Sequence, residues 1–291
     1  MQPAEIELFC AHLRARNYAA HTLANYALDL QLFFASCENK AVEQITWREI
    51  DYFIAQQHKQ ELAATTINRR LNALKRFFDF LVVEREQLPG NPLKPSHYLR
   101  LGKPLPKKLT QEQVTRLFAQ IENRQDRAMF LLMLRCGLRV SEVAQLKLAN
   151  IDWEQKALLI EQAKGRKDRI VYLSADALAG LRECQQLRPA KVPGNFFFWN
   201  QKRSNRPLSI KAIQKKMERY TKAAEIEASC HSLRHTFASN LLEEGAQIIS
   251  IKEFLGHSSV TSSERYARLS NMHIKQTYLE TIKKVIAKTK V

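Results

Sequence analysis

A stretch rich in Pro and Lys, running from Asn91-Pro92-Leu93 to Lys103-Pro104-Leu105-Pro106-Lys107-Lys108, interrupts an otherwise helical rhythm in this 291-residue chain. Proline lacks the amide donor a helix needs and pushes the residue before it out of helical dihedrals, so regular structure breaks there. The composition is that of a linker. It predicts two domains, 1–105 and 106–291, each long enough to bury its own core. Charge divides at the same place. Residues 1–105 carry 13 Lys and Arg against 11 Asp and Glu, and residues 106–291 carry 33 against 18, so +2 of the formal +17 lies in front and +15 behind. A basic second domain points to a polyanion, nucleic acid in the simplest case, with a ribosomal or anionic-membrane surface as alternatives.

The first hundred residues read as helices joined by short polar turns, with no sustained period-two stretch. From Thr65 to Leu81, Ile67, Leu71, Leu74, Phe78 and Leu81 recur at helical spacing as an apolar stripe, and Thr65, Arg69, Asn72 and Arg76 recur on the other side. Beyond the linker, Thr110 with Gln113 opens a helix in capping-box style. Two strands, Ala157 to Gln162 and Arg169 to Leu173, flank a cationic hairpin tip, Ala163-Lys164-Gly165-Arg166-Lys167-Asp168. Phe196-Phe197-Phe198-Trp199 reads as a core strand. A helix from Ser209 to Ala224 turns Ile210, Ile213, Met217 and Tyr220 inward and Lys211, Lys215, Arg219 and Lys222 outward. The fold expected is mainly α with a small antiparallel β-sheet, an all-helical first domain and an α+β second.

Cys10, Cys37, Cys136, Cys184 and Cys230 are odd in number and form no Cys-x-x-Cys pair, as expected for reduced cytosolic thiols. The start, Met1-Gln2-Pro3-Ala4-Glu5, lacks the pattern of an export signal, and no run of about twenty apolar residues could span a bilayer. A cytoplasmic protein without a membrane partner is expected.

In the basic half, Arg139, Lys164, His231 with Arg234, His257 and Tyr266 follow one another in that order. Such a set suits attack by a phenol on a DNA phosphate, whose five-coordinate transition state gathers negative charge that fixed cations stabilise. Guanidiniums bind two phosphate oxygens at once; an ammonium acts as a point charge. Each residue also has a plainer role: Arg139 in a surface ion pair with Glu142, Lys164 in a solvated turn, His257 in a loop. His231 and Arg234 are three apart and share one helix face, with His231 suited to accept the phenol proton, whereas His235 is expected to face away. No His has Cys or carboxylate neighbours at ligand spacing, so neither a metal nor another cofactor is expected.

Gly137-Leu138-Arg139-Val140-Ser141-Glu142, His231-Ser232-Leu233-Arg234-His235-Thr236-Phe237-Ala238 and Leu255-Gly256-His257-Ser258-Ser259 resemble the three signature boxes of the tyrosine recombinase (phage integrase) family. Arg234 precedes His257 by 23 residues and His257 precedes Tyr266 by 9, as in its Xer-type members. The resemblance implies a SAM-like core-binding domain that clasps one side of a duplex, which gives Arg69, Asn72 and Arg76 to DNA. It places the helix bearing Lys211, Lys215 and Arg219 against the major groove. By the same resemblance Arg139 grips the scissile phosphate, Glu142 supports the site geometry and His257 donates to a phosphate oxygen. Lys164 protonates the departing 5′ oxygen, with Lys167 the rival on the same turn and otherwise a DNA contact.

Only Tyr266 sits at the family's distance past the Leu-Gly-His box; Tyr278 and Tyr220 compete as decoys. Its flank, Ser262-Ser263-Glu264-Arg265, departs from the Thr-rich version common in chromosomal Xer proteins. The implied reaction is site-specific recombination through a 3′-phosphotyrosyl bond and a Holliday junction, by a homotetramer on short DNA sites or with a second recombinase. Chromosome-dimer resolution and a mobile-element integrase fit equally. A type IB topoisomerase and an inactive DNA-binding regulator are the other candidates. Ile274 to Val285 forms a helical stripe that docks on a neighbour or packs within its own chain.

Overall fold

The computed structural model describes residues 4–102, 108–163, 167–189, 192, 195–200, 208–255 and 267–289. The chain divides into two compact units, Met1–Pro104 and Leu105–Val291. Among the described residues the regular structure is mostly helical, with one three-stranded antiparallel sheet.

The first unit consists of α1 (Ala4–Ala15), α2 (Ala20–Ser36), α3 (Trp47–Lys59) and α4 (Ala64–Val83). A capping box starts α3: the Arg48 amide donates to Thr46 Oγ1 at 3.2 Å and the Thr46 amide donates to Glu49 Oε2 at 2.8 Å. The predicted stripe Ile67, Leu71, Leu74, Phe78 and Leu81 of α4 is fully buried. It meets a phenylalanine core packed edge to face, for example Phe33 on Phe53 with ring centroids 5.3 Å apart at 86°. Buried Asp29 of α2 takes the Arg69 guanidinium, with Nη2 donating to Oδ1 at 2.9 Å and Nη1 to Oδ2.

The second unit begins with α5 (Gln111–Ala119), entered through the expected Thr110–Gln113 capping box. There follow α6 (Arg124–Cys136), α7 (Val140–Ala144), β1 (Ile151–Asp152), β2 (Ala157–Ala163), β3 (Lys167–Tyr172) and α8 (Ala175–Gln186). Then come α9 (Ile210–Ala223), α10 (Cys230–Glu243), α11 (Ile248–Leu255) and α12 (Ala267–Lys288). The sheet order is β1-β2-β3; Leu158 faces Val171 and Ile160 faces Arg169, with an irregularity between Ile160 and Ala163. α6 is the central helix, apolar on nearly all sides between two buried charges. At its start Asp126 accepts from Lys216 Nζ at 2.9 Å and Tyr220 Oη at 2.8 Å, which holds α9. At its end Arg135 donates to Asp176 Oδ2 at 2.7 Å and to the Thr289 carbonyl at 2.9 Å, which holds α8 and the chain after α12.

Three expectations are corrected. Phe197, Phe198 and Trp199 are core, but not as a strand: Phe196 makes an isolated bridge to Lys147. The Gln125 side chain takes the place of a neighbouring strand, donating to the Trp199 carbonyl at 3.1 Å and accepting from its amide at 3.3 Å. Ile213, Met217 and Tyr220 of α9 are buried, whereas Ile210, in the first turn, is exposed. A short strand, β1, joins the expected hairpin. Of the two readings of the last helix, intramolecular packing holds for the described side chains: Tyr278, Ile282 and Val285 are buried against Phe237, Leu241 and Phe254. The Ile274 side chain lies outside the described residues.

Gly137 ends α6 in the left-handed region, at φ 66°. A Cβ there would lie 2.5 Å from Phe237 Cδ1. Gly137→Ala is expected to lose about 2 kcal/mol or more of stability, from the φ strain and the overlap together. Urea unfolding checks this: the midpoint should fall with an unchanged slope.

Candidate active site

The turn made by Gly137 carries the chain past buried Leu138 to Arg139, the residue that caps α7. The Arg139 amide donates to Glu142 Oε2 at 2.8 Å and its Nη1 donates to Oε1 at 2.8 Å. The Arg139–Glu142 ion pair expected as the plain alternative is therefore present, and it fixes where the guanidinium stands.

A residue outside the signature boxes meets the same carboxylate. Arg169 on β3 donates from Nη1 to Glu142 Oε1 and from Nη2 to Oε2, both at 2.8 Å. Its signal was in the strand alternation: Arg169 falls on the same face as buried Val171, and a charge on a core face needs a partner. Burial pushes the Glu142 carboxyl up, but the hydrogen bonds and charge of Arg169, with those of Arg139, outweigh it and hold the group below its ordinary value.

Arg234 on α10 completes the cluster. Only 5 % exposed, it donates to the carbonyls of Gly137 and, at 2.6 Å, Leu255. Burial lowers its pKa to about 10, helped by repulsion from Arg139 and Arg169 and opposed by Glu142. Three guanidiniums thus gather about one carboxylate, Arg139 and Arg169 bonded to it and Arg234 within reach of its charge. Such a cluster is two charges short of neutral and suits an anion.

A cleft of about 530 Å³ opens here, lined by Arg139, Ser141, Gln214, His231 and Arg234 among others. His231 and Arg234 share the face of α10 that their spacing predicts. Burial depresses the His231 pKa, as do His235, Arg234 and Arg139, so the imidazole is neutral and able to accept a proton at pH 7. His235 does not face away: its ring lies 4.3 Å from that of His231, edge to face at 82°.

Lys164, His257 and Tyr266 lie outside the described residues, as does the side chain of Lys167. The chain on either side of them is described. Lys164 follows the last residue of β2, and residues 256–266 join α11 to α12. Competing nucleophiles are disarmed where they can be seen. Burial and Asp126 push Tyr220 up to about 12, burial pushes Tyr278 well above the usual phenol range, and Cys230, at the cleft, is pushed up to about 11 by burial. Among the described residues no group of three or more His, Cys, Asp or Glu gathers to hold a metal ion, and no helix is long and apolar enough to cross a membrane.

The remaining expected DNA contacts are exposed and sit on two helices. On α4, Asn72 Oδ1 accepts from Tyr98 Oη at 2.9 Å and Arg76 Nη1 donates to Tyr18 Oη at 2.6 Å, beside Arg69 and its Asp29 anchor. On α9, Lys211 and Lys215 face outward, and Arg219 Nη2 donates to Tyr220 Oη at 2.8 Å.

Residues 107–273 match the phage integrase family, and residues 6–85 match its N-terminal SAM-like domain. The chain belongs to the phage integrase family. It is 30% identical over 275 residues to tyrosine recombinase XerA of Pyrococcus horikoshii, covering 93% of this chain and 91% of that one. Two solved structures share the fold. One is the Tn1549 transposon integrase in complex with transposon right end DNA, with TM-score 0.74, 17% identity and coverage of 93% and 99%. The other is a lambda integrase tetramer bound to a Holliday junction, with TM-score 0.68, 20% identity and coverage of 90% and 79%. This phage integrase family member is a Xer-like tyrosine recombinase, an enzyme of site-specific DNA strand breaking and rejoining.

Proposed function

We propose that the cleft holds the scissile phosphate of a DNA strand, with Arg139 and Arg234 on its non-bridging oxygens and Tyr266 as nucleophile. The observation that carries this is the convergence of Arg139, His231 and Arg234 on one cleft, in a cluster where three guanidiniums outnumber one carboxylate. Glu142 holds Arg139 in place. The Tyr266 oxygen bonds to phosphorus while its proton passes to His231, and His257 donates to a phosphate oxygen. The bond from phosphorus to the 5′ oxygen breaks and that oxygen takes a proton from Lys164, since an alkoxide leaves poorly. The products are a 3′-phosphotyrosyl bond and a 5′-hydroxyl. A 5′-hydroxyl from a second duplex reverses the step, so phosphodiester energy is conserved and neither ATP nor another cofactor enters.

Two rounds of exchange pass through a Holliday junction. Four strands are cut, one per protomer, which makes a homotetramer the simplest assembly; the tetrameric state of the lambda integrase complex supports it. Arg69, Asn72 and Arg76 contact DNA from the first unit, which spans residues 1–105 with its linker. Lys167, Lys211, Lys215 and Arg219 contact it from the catalytic unit, residues 106–291. The substrate is a short specific site, of a chromosome or a mobile element, in the cytoplasm.

A duplex whose bridging 5′ oxygen is replaced by sulfur tests the scheme, on a site that the protein selects from a randomised pool. A thiolate departs without an acid and rejoins poorly, so the wild-type enzyme should accumulate a denaturant-stable adduct. Lys164→Ala, inert on the oxygen duplex, should cleave the sulfur duplex at near wild-type rate, while Lys167→Ala should keep the wild-type ratio between the two. Rescue of the Lys167 variant alone would move the acid to that residue. Absence of any wild-type adduct would overturn the reaction itself.

A further inference from the structure

Arg169 has no part in the reaction as written, yet it joins three elements of the site. Its guanidinium, 11 % exposed, grips both oxygens of Glu142. Its third kind of donor, Nε, reaches the carbonyl of Phe254 at 3.3 Å. Glu142 offers the same two oxygens to the main chain and guanidinium of Arg139. Phe254 is the penultimate residue of α11, beside Leu255, whose carbonyl accepts from Arg234 at 2.6 Å. The last carbonyls of a helix have no partner within it. Here two guanidiniums supply partners, one of them from β3, at the point where the chain leaves for His257 and Tyr266.

We propose that Arg169 is a positioning residue for cleavage: its planar fork on Glu142 and its Nε on Phe254 set the register between Arg139 and the chain that leaves α11. The proposal rests on the recombinase reaction above. A plain ion pair would need only the positive charge. Positioning needs the fork, because three N–H groups in one plane fix direction as well as distance, and a lysine ammonium cannot hold two carboxylate oxygens and a carbonyl in that geometry. An error of about 1 Å in such a frame costs roughly 100-fold in rate.

The test compares Arg169→Lys, Arg169→Gln, Glu142→Gln and the Glu142→Gln, Arg169→Gln double variant with wild type. Each is read for thermal unfolding, for duplex Kd and for single-turnover cleavage at saturating protein, on the sulfur-bridged duplex carrying a pool-selected site. Cleavage should fall about 10- to 100-fold in both Arg169 single variants while Kd stays within about threefold. The double variant should be no slower than its slower parent, since both residues act through Arg139. Arg169→Lys decides the matter if the Gln variant folds poorly. Full-rate cleavage by Arg169→Lys, multiplied losses in the double variant, or binding lost in proportion to rate would each overturn the proposal. A wild-type enzyme that forms no adduct would instead overturn the recombinase reaction, and the proposal with it.

Discussion

Tyr266→Phe should bind its duplex as wild type does and form no covalent adduct at all, because removal of the phenol oxygen removes the atom proposed to bond phosphorus. The control is Tyr278→Phe. Its hydroxyl donates to the Arg135 carbonyl at 2.9 Å inside the core, so that variant should lose about 1 kcal/mol of stability and keep its adduct. An adduct that survives in Tyr266→Phe, mapped by peptide sequencing to another residue, would end the assignment.

Arg234 should give the second largest effect. A contact that strengthens only as charge builds on the phosphate affects rate more than affinity. Arg234→Ala should therefore cleave about 1,000-fold more slowly while binding duplex within about tenfold of wild type, or about 1.4 kcal/mol. This side chain also holds the Gly137 and Leu255 carbonyls, and leaving two buried acceptors unpaired costs about 1–3 kcal/mol each. A lower unfolding temperature should accompany the rate loss. Arg139→Ala should lose a similar share of rate with less of this stability cost, because its guanidinium is more exposed. Equal losses of binding and cleavage in either variant would make that residue a docking contact.

Much of this was legible in the chain because local physics dictates it. The stripe of α4, the capping residue Thr110, and the shared face of His231 and Arg234 all follow from a period of 3.6 residues or from unpaired amides at helix starts. What was missed depends on partners distant in sequence. Arg69 reads from its spacing and the family resemblance as a DNA contact on the outer side of α4, yet it also has a partner, Asp29, 40 residues away on another helix. Arg169 belongs to no signature box; only its place on the core side of β3 and a carboxylate 27 residues earlier reveal its role. Phe196 to Trp199 have the composition of a strand, but a side-chain amide from α6 meets their backbone where a strand would have been. β1, at two residues, is too short to show any period.

The seating of α12 has a mechanical consequence. The helix starts at Ala267, the residue bonded to Tyr266, and is held to its own core at Tyr278, Ile282 and Val285. From Ala267 to Tyr278 the helix runs about 16 Å at its usual rise. A tilt of about 10° around the Tyr278 anchor therefore swings Ala267 through about 3 Å, comparable to the whole distance across which a nucleophile attacks. The helix is a lever. Its fulcrum is the buried Tyr278 ring, whose hydroxyl meets the Arg135 carbonyl two residues before the Gly137 turn that presents Arg139. The arm that leads to Tyr266 and the turn that presents Arg139 thus rest on the same end of α6.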